Sequence, residues 1–160
     1  SQADAEATVI AAGLTVGNVT YQASDRHARG TVWIQDPGRN AVVPAGAPVD
    51  LVVCIGKATK KPVAKTLSAS NIGQATATLR GKVTDDGGEL CQYRLCYWKS
   101  GDRAVSRTSW KGYLGKNQSF SVDIAGLAPG SSYWFWAEAQ NSKGKSPGWD
   151  AGIQGFNTSP

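Results

Sequence analysis

From residue 1 the small apolar residues fall at helical spacing, and from about residue 15 onward the apolar residues alternate as strands do. Ala5, Val9 and Ala12 make one stripe on a helix. Alanine favours that helix, Asp4 and Glu6 suit the positive end of its dipole, Ser1 or Gln2 stands near the N-cap, and Gly13 fits the left-handed position after its end. Three short strands are expected at 16–22, 30–35 and 49–55, the last a β-branched run of the kind that lies buried. Asp36-Pro37-Gly38 and Pro44-Ala45-Gly46 are turn chemistry between them. The remaining pattern has period two. Residues 76–83 place Ala77, Leu79, Gly81 and Val83 on one face. Residues 91–99 place Cys91, Tyr93, Leu95 and Tyr97 together, 119–124 place Phe120, Val122 and Ile124, and 132–140 place Tyr133, Phe135, Ala137 and Ala139. A last strand is expected at 153–156. Asp85-Asp86-Gly87-Gly88 reads as a hairpin turn.

A shift in composition divides the chain. Residues 1–56 are poor in aromatics, whereas five of the six tryptophans lie beyond residue 66. Between the two, 57–65 is cationic and broken by Pro62, which predicts an extended linker. The fold class is therefore mainly β. A small α+β domain (1–56) is followed by an antiparallel β-sandwich of about seven strands (66–160).

Particular residues carry two resemblances. Ala5-Glu6-Ala7, Ala12-Gly13-Leu14-Thr15-Val16-Gly17, Gly30-Thr31-Val32, Gln35-Asp36-Pro37, Val43-Pro44-Ala45-Gly46 and Val49-Asp50-Leu51-Val52-Val53 resemble a PASTA domain over residues 1–56. The resemblance implies one helix against a three-stranded sheet. Members usually open with a Val-Pro-rich segment ahead of the helix. This chain starts after that point, as would a piece of a longer array, or a unit whose missing edge is supplied by something else. Leu127-Ala128-Pro129-Gly130-Ser131-Ser132-Tyr133 resembles the corner segment of a fibronectin type III domain, with Tyr133 as the corner tyrosine. Tyr93–Tyr97 resembles that family's third strand, and Ala137–Gly144 its sixth. The family's usual second-strand tryptophan is missing, for Leu79 and Gly81 stand there, and no Arg-Gly-Asp tripeptide is present.

Charged residues make up 18% of the chain and hydrophobic ones 41%, a globular balance, and no run approaches the length of a membrane span. The net charge of +5 is a mild excess. Lys57, Lys60, Lys61, Lys65, Arg103, Arg107, Lys111, Lys116, Lys143 and Lys145 could favour an anionic wall polymer or could simply be solvated. Nucleic acid is not expected as a partner. His27 is the single histidine and lies in a polar stretch with no nucleophile elbow, so it reads as an exposed loop residue and the chain as no enzyme. Asp85, Asp86 and Glu89 offer oxygens to a hard cation, but a turn needs the same residues. No cofactor is expected. Of the cysteines, Cys91 and Cys96 lie five apart on one strand, roughly 16 Å apart and on opposite faces, and cannot pair. Cys91 is expected inside and Cys96 outside, and Cys54 ends the first domain.

Strand phase gives the sharpest expectation. With Tyr93, Leu95, Tyr97, Tyr133 and Phe135 inward, Arg94, Cys96, Trp98, Trp134 and Trp136 face out on neighbouring strands, with Trp110 joining from the next. Three exposed tryptophans exceed the few hundred Å² of apolar patch usual on a monomer. Either Arg94, Lys99, Arg107 or Lys111 shields the rings, or a partner covers them. The function expected is a non-catalytic structural or adhesive module of a bacterial surface protein, extracellular or at the cell surface. Its partner would be a second copy of itself, as in a filament, or a neighbouring surface protein. The alternatives are a module that binds glycan or peptidoglycan, as some PASTA domains do, and accessory domains of a secreted enzyme.

Overall fold

The computed structural model describes residues 1–148 and 151–160 and divides the chain into two compact units, Ser1–Lys57 and Ala58–Pro160. In the first, helix α1 (Gln2–Ala11) is closed by a capping box. Ser1 Oγ accepts from the Asp4 amide, while the Ser1 backbone nitrogen, here the N-terminal ammonium, donates to the Asp4 carboxylate at 3.1 Å. Gly13 takes φ 73°, as its place after the helix end requires. The sheet runs β1 (Thr15–Gln22), β3 (Pro48–Cys54), β2 (Val32–Asp36), with β3 central, parallel to β1 and antiparallel to β2. Val49, Leu51 and Val53 on β3 are buried. The helical stripe is shallower than its pattern predicts. Ala5 and Val9 are half-buried, but Ala12 is exposed, because it serves as the C-cap at the end of the last turn.

The second unit is a sandwich of two sheets. One has the order β4 (Val63–Ser70), β5 (Thr76–Asp85), β9 (Ser119–Ala125). The other is built on β10 (Ser132–Asn141) paired with β6 (Cys91–Lys99). Around this pair lie β12 (Gln154–Asn157) and β11 (Gly144–Lys145) against β10, and β7 (Ser106–Arg107) and β8 (Lys111–Leu114) against β6. This is the arrangement implied by the fibronectin type III resemblance. The inward residues expected on β5, β9 and β10 are all buried, as are Cys91 and Leu95 of β6, and Tyr93 and Tyr97 pack against them half-covered. The corner tyrosine is in place: the Ala128 amide donates to the Tyr133 hydroxyl at 2.9 Å, and the Tyr133 ring stacks on Phe156.

The missing tryptophan has a physical substitute. A Cβ on Gly81 would stand 2.5 Å from the Phe120 ring and 2.7 Å from Ala137, so Phe120 occupies the space over the glycine. There it packs on Tyr93, with ring centroids 4.3 Å apart.

Three expectations change. The stretch 57–65 does not stand free as a linker. Ala58 and Pro62 are buried, the Thr59 amide donates to the Gly87 carbonyl, and β4 begins at Val63. Its inward positions, Ala64 and Thr66, are small, and so the strand alternation is faint beside the lysines. Asp85–Gly88 is not a hairpin, because β5 and β6 belong to different sheets and the turn crosses between them. Its acids act as fasteners. Asp86 accepts from the Gly88 and Lys116 amides, and Glu89 from the Ala58 and Ser142 amides and the Ser142 hydroxyl. Third, the last strand lies one residue later than its pattern, so that Phe156 sits inside it opposite Tyr133.

The last strand also departs from β10 midway. β12 pairs only with residues 132–135, and β11 only with 140–141. In the gap, side chains take over the backbone donors: the Ala137 amide bonds to Thr66 Oγ1 and the Ala139 amide to Ser146 Oγ, each at 3.0 Å.

Candidate functional site: the outer face of the β6–β10 sheet

The β6–β10 register arranges the outer face in rows across the strands. Trp98 stands opposite Trp134, and Trp134 opposite Gly155. One step along, Arg107, Cys96 and Trp136 share a row. Next come Arg94 and Glu138, then Gln92 and Gln140, joined by a side-chain hydrogen bond of 2.9 Å. In the other direction from the tryptophans, Ser132 faces Asn157. Alternation alone put Trp98, Trp134, Trp136, Arg94 and Cys96 on this face; the structure shows that they differ sharply in what they can offer a partner.

Most of the row is committed internally. The Trp136 indole N–H donates to Glu138 Oε1 at 3.1 Å, and its ring lies 5.3 Å from that of Trp98, tilted by 60°. Gly148 passes so close that any side chain there would meet the Trp136 indole. Arg94 grips Glu138 through Nε and Nη2, both 2.6 Å from Oε2, with only 14% and 12% of the two side chains exposed. The Arg94 guanidinium also lies 4.3 Å from the centre of the Trp110 ring. Trp110 itself precedes β8 rather than sitting within a strand, so its place on this face comes from that stacking and not from the ladder. Among the described residues, the expected shielding by cations is seen as Arg94 over Trp110.

Cys96 corrects the expectation most. Its register is outward, yet its exposure is 0%, with Glu138, Arg94 and Arg107 gathered around it. Burial, with the Glu138 carboxylate beside it, pushes its thiol up to about 12. Burial would also push Glu138 up, but donation from Trp136 and from Arg94 outweighs it and holds the carboxyl below its ordinary value. Cys54 and Cys91 are likewise buried, and none of the three cysteines forms a disulfide. Glu138 is the residue that sequence reasoning missed. A lone carboxylate two residues past Trp136 on an aromatic strand was the available signal, but only the register supplies its partner.

Trp134 is different. Three consecutive atoms of its six-membered ring, Cε3, Cζ3 and Cη2, lie 3.1–3.5 Å from where a Cβ of Gly155 would stand. The ring therefore lies flat across the glycine, and it still keeps 42% of its surface open. Ile153, just before β12, is 44% exposed. Elsewhere, His27 is exposed and stacks on Trp33 with centroids 4.8 Å apart. Lys57 pairs with Asp25 and Lys60 with Asp85. Among the described residues no group of three or more His, Cys, Asp or Glu could hold a metal ion, and no helix is long and apolar enough to cross a membrane.

Comparison with known proteins separates the two units. Residues 1–54 match the family model of the PASTA domain. The first unit is a PASTA domain. Among solved structures, the sensor domain of the anti-sigma factor RsgI4 of Pseudobacteroides cellulosolvens is similar at 23% identity and a TM-score of 0.50. The match covers 64% of this chain and 98% of that one. A human fibronectin type III domain, from fibronectin type III domain containing protein 3, aligns at 17% identity and a TM-score of 0.46, over 65% of this chain and 91% of its own. Domains A168–A170 of titin align at 16% and 0.46, over 74% and 38%. No curated protein sequence matches the chain. Residues 1–54, which match the PASTA model, are thus followed by a two-sheet β-sandwich, the arrangement that the fibronectin type III resemblance implies.

Proposed function

We propose that the chain is a non-catalytic extracellular binding module with a structural or adhesive role, and that its contact surface is the Trp134 end of the outer face rather than the whole tryptophan row. The observation that carries this is the Trp134 ring, lying flat over Gly155 and 42% exposed on a rigid sheet. An exposed indole held in one orientation loses little entropy when a partner covers it. The PASTA domain at its N-terminal side supports an extracellular setting. Arg94, Cys96, Trp110 and Trp136 belong to the support of that surface.

Self-contact is tested by sedimentation velocity over a wide concentration range. The adhesive or filament reading expects association that Trp134→Ala abolishes. A chain that stays monomeric throughout removes self-association and leaves a ligand of another kind on the same ring.

A further inference from the structure

We propose that Trp134 is a stacking platform for the flat face of an uncharged pyranose, with Ser132 and Asn157 supplying the hydrogen bonds that orient the sugar. This rests on the reading of Trp134 as the contact surface and names the chemistry of what it contacts.

The geometry begins with Gly155. Because this residue has no side chain, the indole settles across the strand with one face against backbone. The area left open is then the other face, a planar π surface parallel to the sheet. A pyranose with equatorial substituents has C–H groups on its faces and hydroxyls around its rim. The C–H groups suit the electron-rich face of an indole, and the rim needs donors and acceptors to one side.

The neighbouring row supplies them. Ser132 lies two residues before Trp134, and Asn157 two residues after Gly155. They face each other across the same surface, and both are exposed. A spacing of two strand residues is about 7 Å, within the reach of one sugar ring and its hydroxyls. Serine and asparagine both donate and accept, as ring hydroxyls do. The Trp98–Trp134–Gly155 and Ser132–Asn157 rows carry no charge. Among the described residues paired in this ladder, the first charged one on this face is Arg107, in the row of Cys96. An uncharged sugar therefore fits better than an anionic one. A protein partner fits less well, for stable protein interfaces bury about 800 Å² a side, and beyond Trp134 the face closes on its own Trp136, Arg94 and Glu138.

The test is a calorimetric and tryptophan-fluorescence titration of the whole chain. Cellohexaose and chitohexaose serve as flat uncharged probes, and a hyaluronan hexasaccharide as an anionic one. We expect saturable binding of at least one uncharged probe in preference to hyaluronan. Trp134→Ala should weaken it about tenfold or more, and Asn157→Ala and Ser132→Ala about fivefold each, with melting temperatures near that of the parent chain. Gly155→Ala keeps every tryptophan but tilts the platform, and should weaken binding too. Failure of both uncharged probes to bind, or binding that survives Trp134→Ala, overturns the proposal, and a preference for hyaluronan overturns the uncharged chemistry. Self-association that Trp134→Ala removes, with no sugar bound, overturns the sugar and leaves the contact surface standing. Absence of both overturns the contact surface itself.

Discussion

Replacing Arg94 by alanine removes one member of a nearly buried ion pair and leaves the other in place. Glu138 would keep only the Trp136 indole N–H at 3.1 Å and the Cys96 thiol as donors, in a site where 12% of its side chain reaches water. Breaking a buried pair from one side costs about 3–5 kcal/mol. The slight exposure here argues for the lower end, near 3 kcal/mol, and loss of the guanidinium over Trp110 adds about 0.5–1 kcal/mol. For a unit of this size that is a fall on the order of 15 °C in melting temperature. The loss should depend on pH in a defined sense. In the parent chain the folded carboxyl of Glu138 lies below its ordinary value, so its contribution is complete above the unfolded carboxyl pKa, about 4.3, and is lost as pH falls through the folded one. In the variant, burial is opposed by fewer donors and the carboxyl titrates higher, so acid relieves the penalty. Urea unfolding of parent and variant, followed by tryptophan fluorescence near pH 7 and again near pH 3, should show a large deficit that shrinks in acid. A deficit below about 0.5 kcal/mol at neutral pH, within the range of ordinary surface substitutions, or one equal at both pH values, would refute the reasoning. Arg94→Met combined with Glu138→Leu should recover most of the loss, because no charge is then left buried.

Other consequences follow from the same structure. Tyr133→Phe removes the acceptor of the Ala128 amide and should cost about 1 kcal/mol by thermal unfolding; an unchanged midpoint would mean that water replaces the hydroxyl. Phe120→Ala should cost about 3–5 kcal/mol, since it empties the space over Gly81. Gly81→Ala alone should cost about 1–3 kcal/mol by overpacking, and less beside Phe120→Leu; strictly additive effects would separate the two residues. With its thiol pushed to about 12 and no exposure, Cys96 should resist iodoacetamide near pH 8 in the folded chain. Cys54 and Cys91 should resist it as well, all three reacting in guanidinium; rapid native labelling of Cys96 would place it outside its cover.

Strand phase was readable because large apolar residues alternate cleanly on β6, β9 and β10, and Tyr133 marks the corner that fixes where β10 begins. The helix ends were readable too, since Ser1, Asp4 and Gly13 act through local geometry. β4 was hidden because its inward side chains are Ala64 and Thr66 and its outward ones include a lysine, a pattern that also suits a linker. The tryptophan face was half readable. Alternation says which way a side chain leaves the strand and nothing about what then lies over it. Glu138 meets Arg94 from 44 residues away, and Gly148 and Gly155 reach Trp136 and Trp134 only because the last strand leaves β10 and returns. Among the described residues, those long-range approaches turn a row of outward side chains into a closed stack with one open ring.

Covalent footprinting of the folded chain by brief oxidation, with each tryptophan read by tandem mass spectrometry, tests this division of the face most directly. Among Trp98, Trp110, Trp134 and Trp136, Trp134 should be modified first, well ahead of Trp136 with its indole bonded to Glu138 beneath Gly148. If Trp136 is oxidised as fast as Trp134, or Trp134 is protected, then the open platform does not exist and no partner is received there.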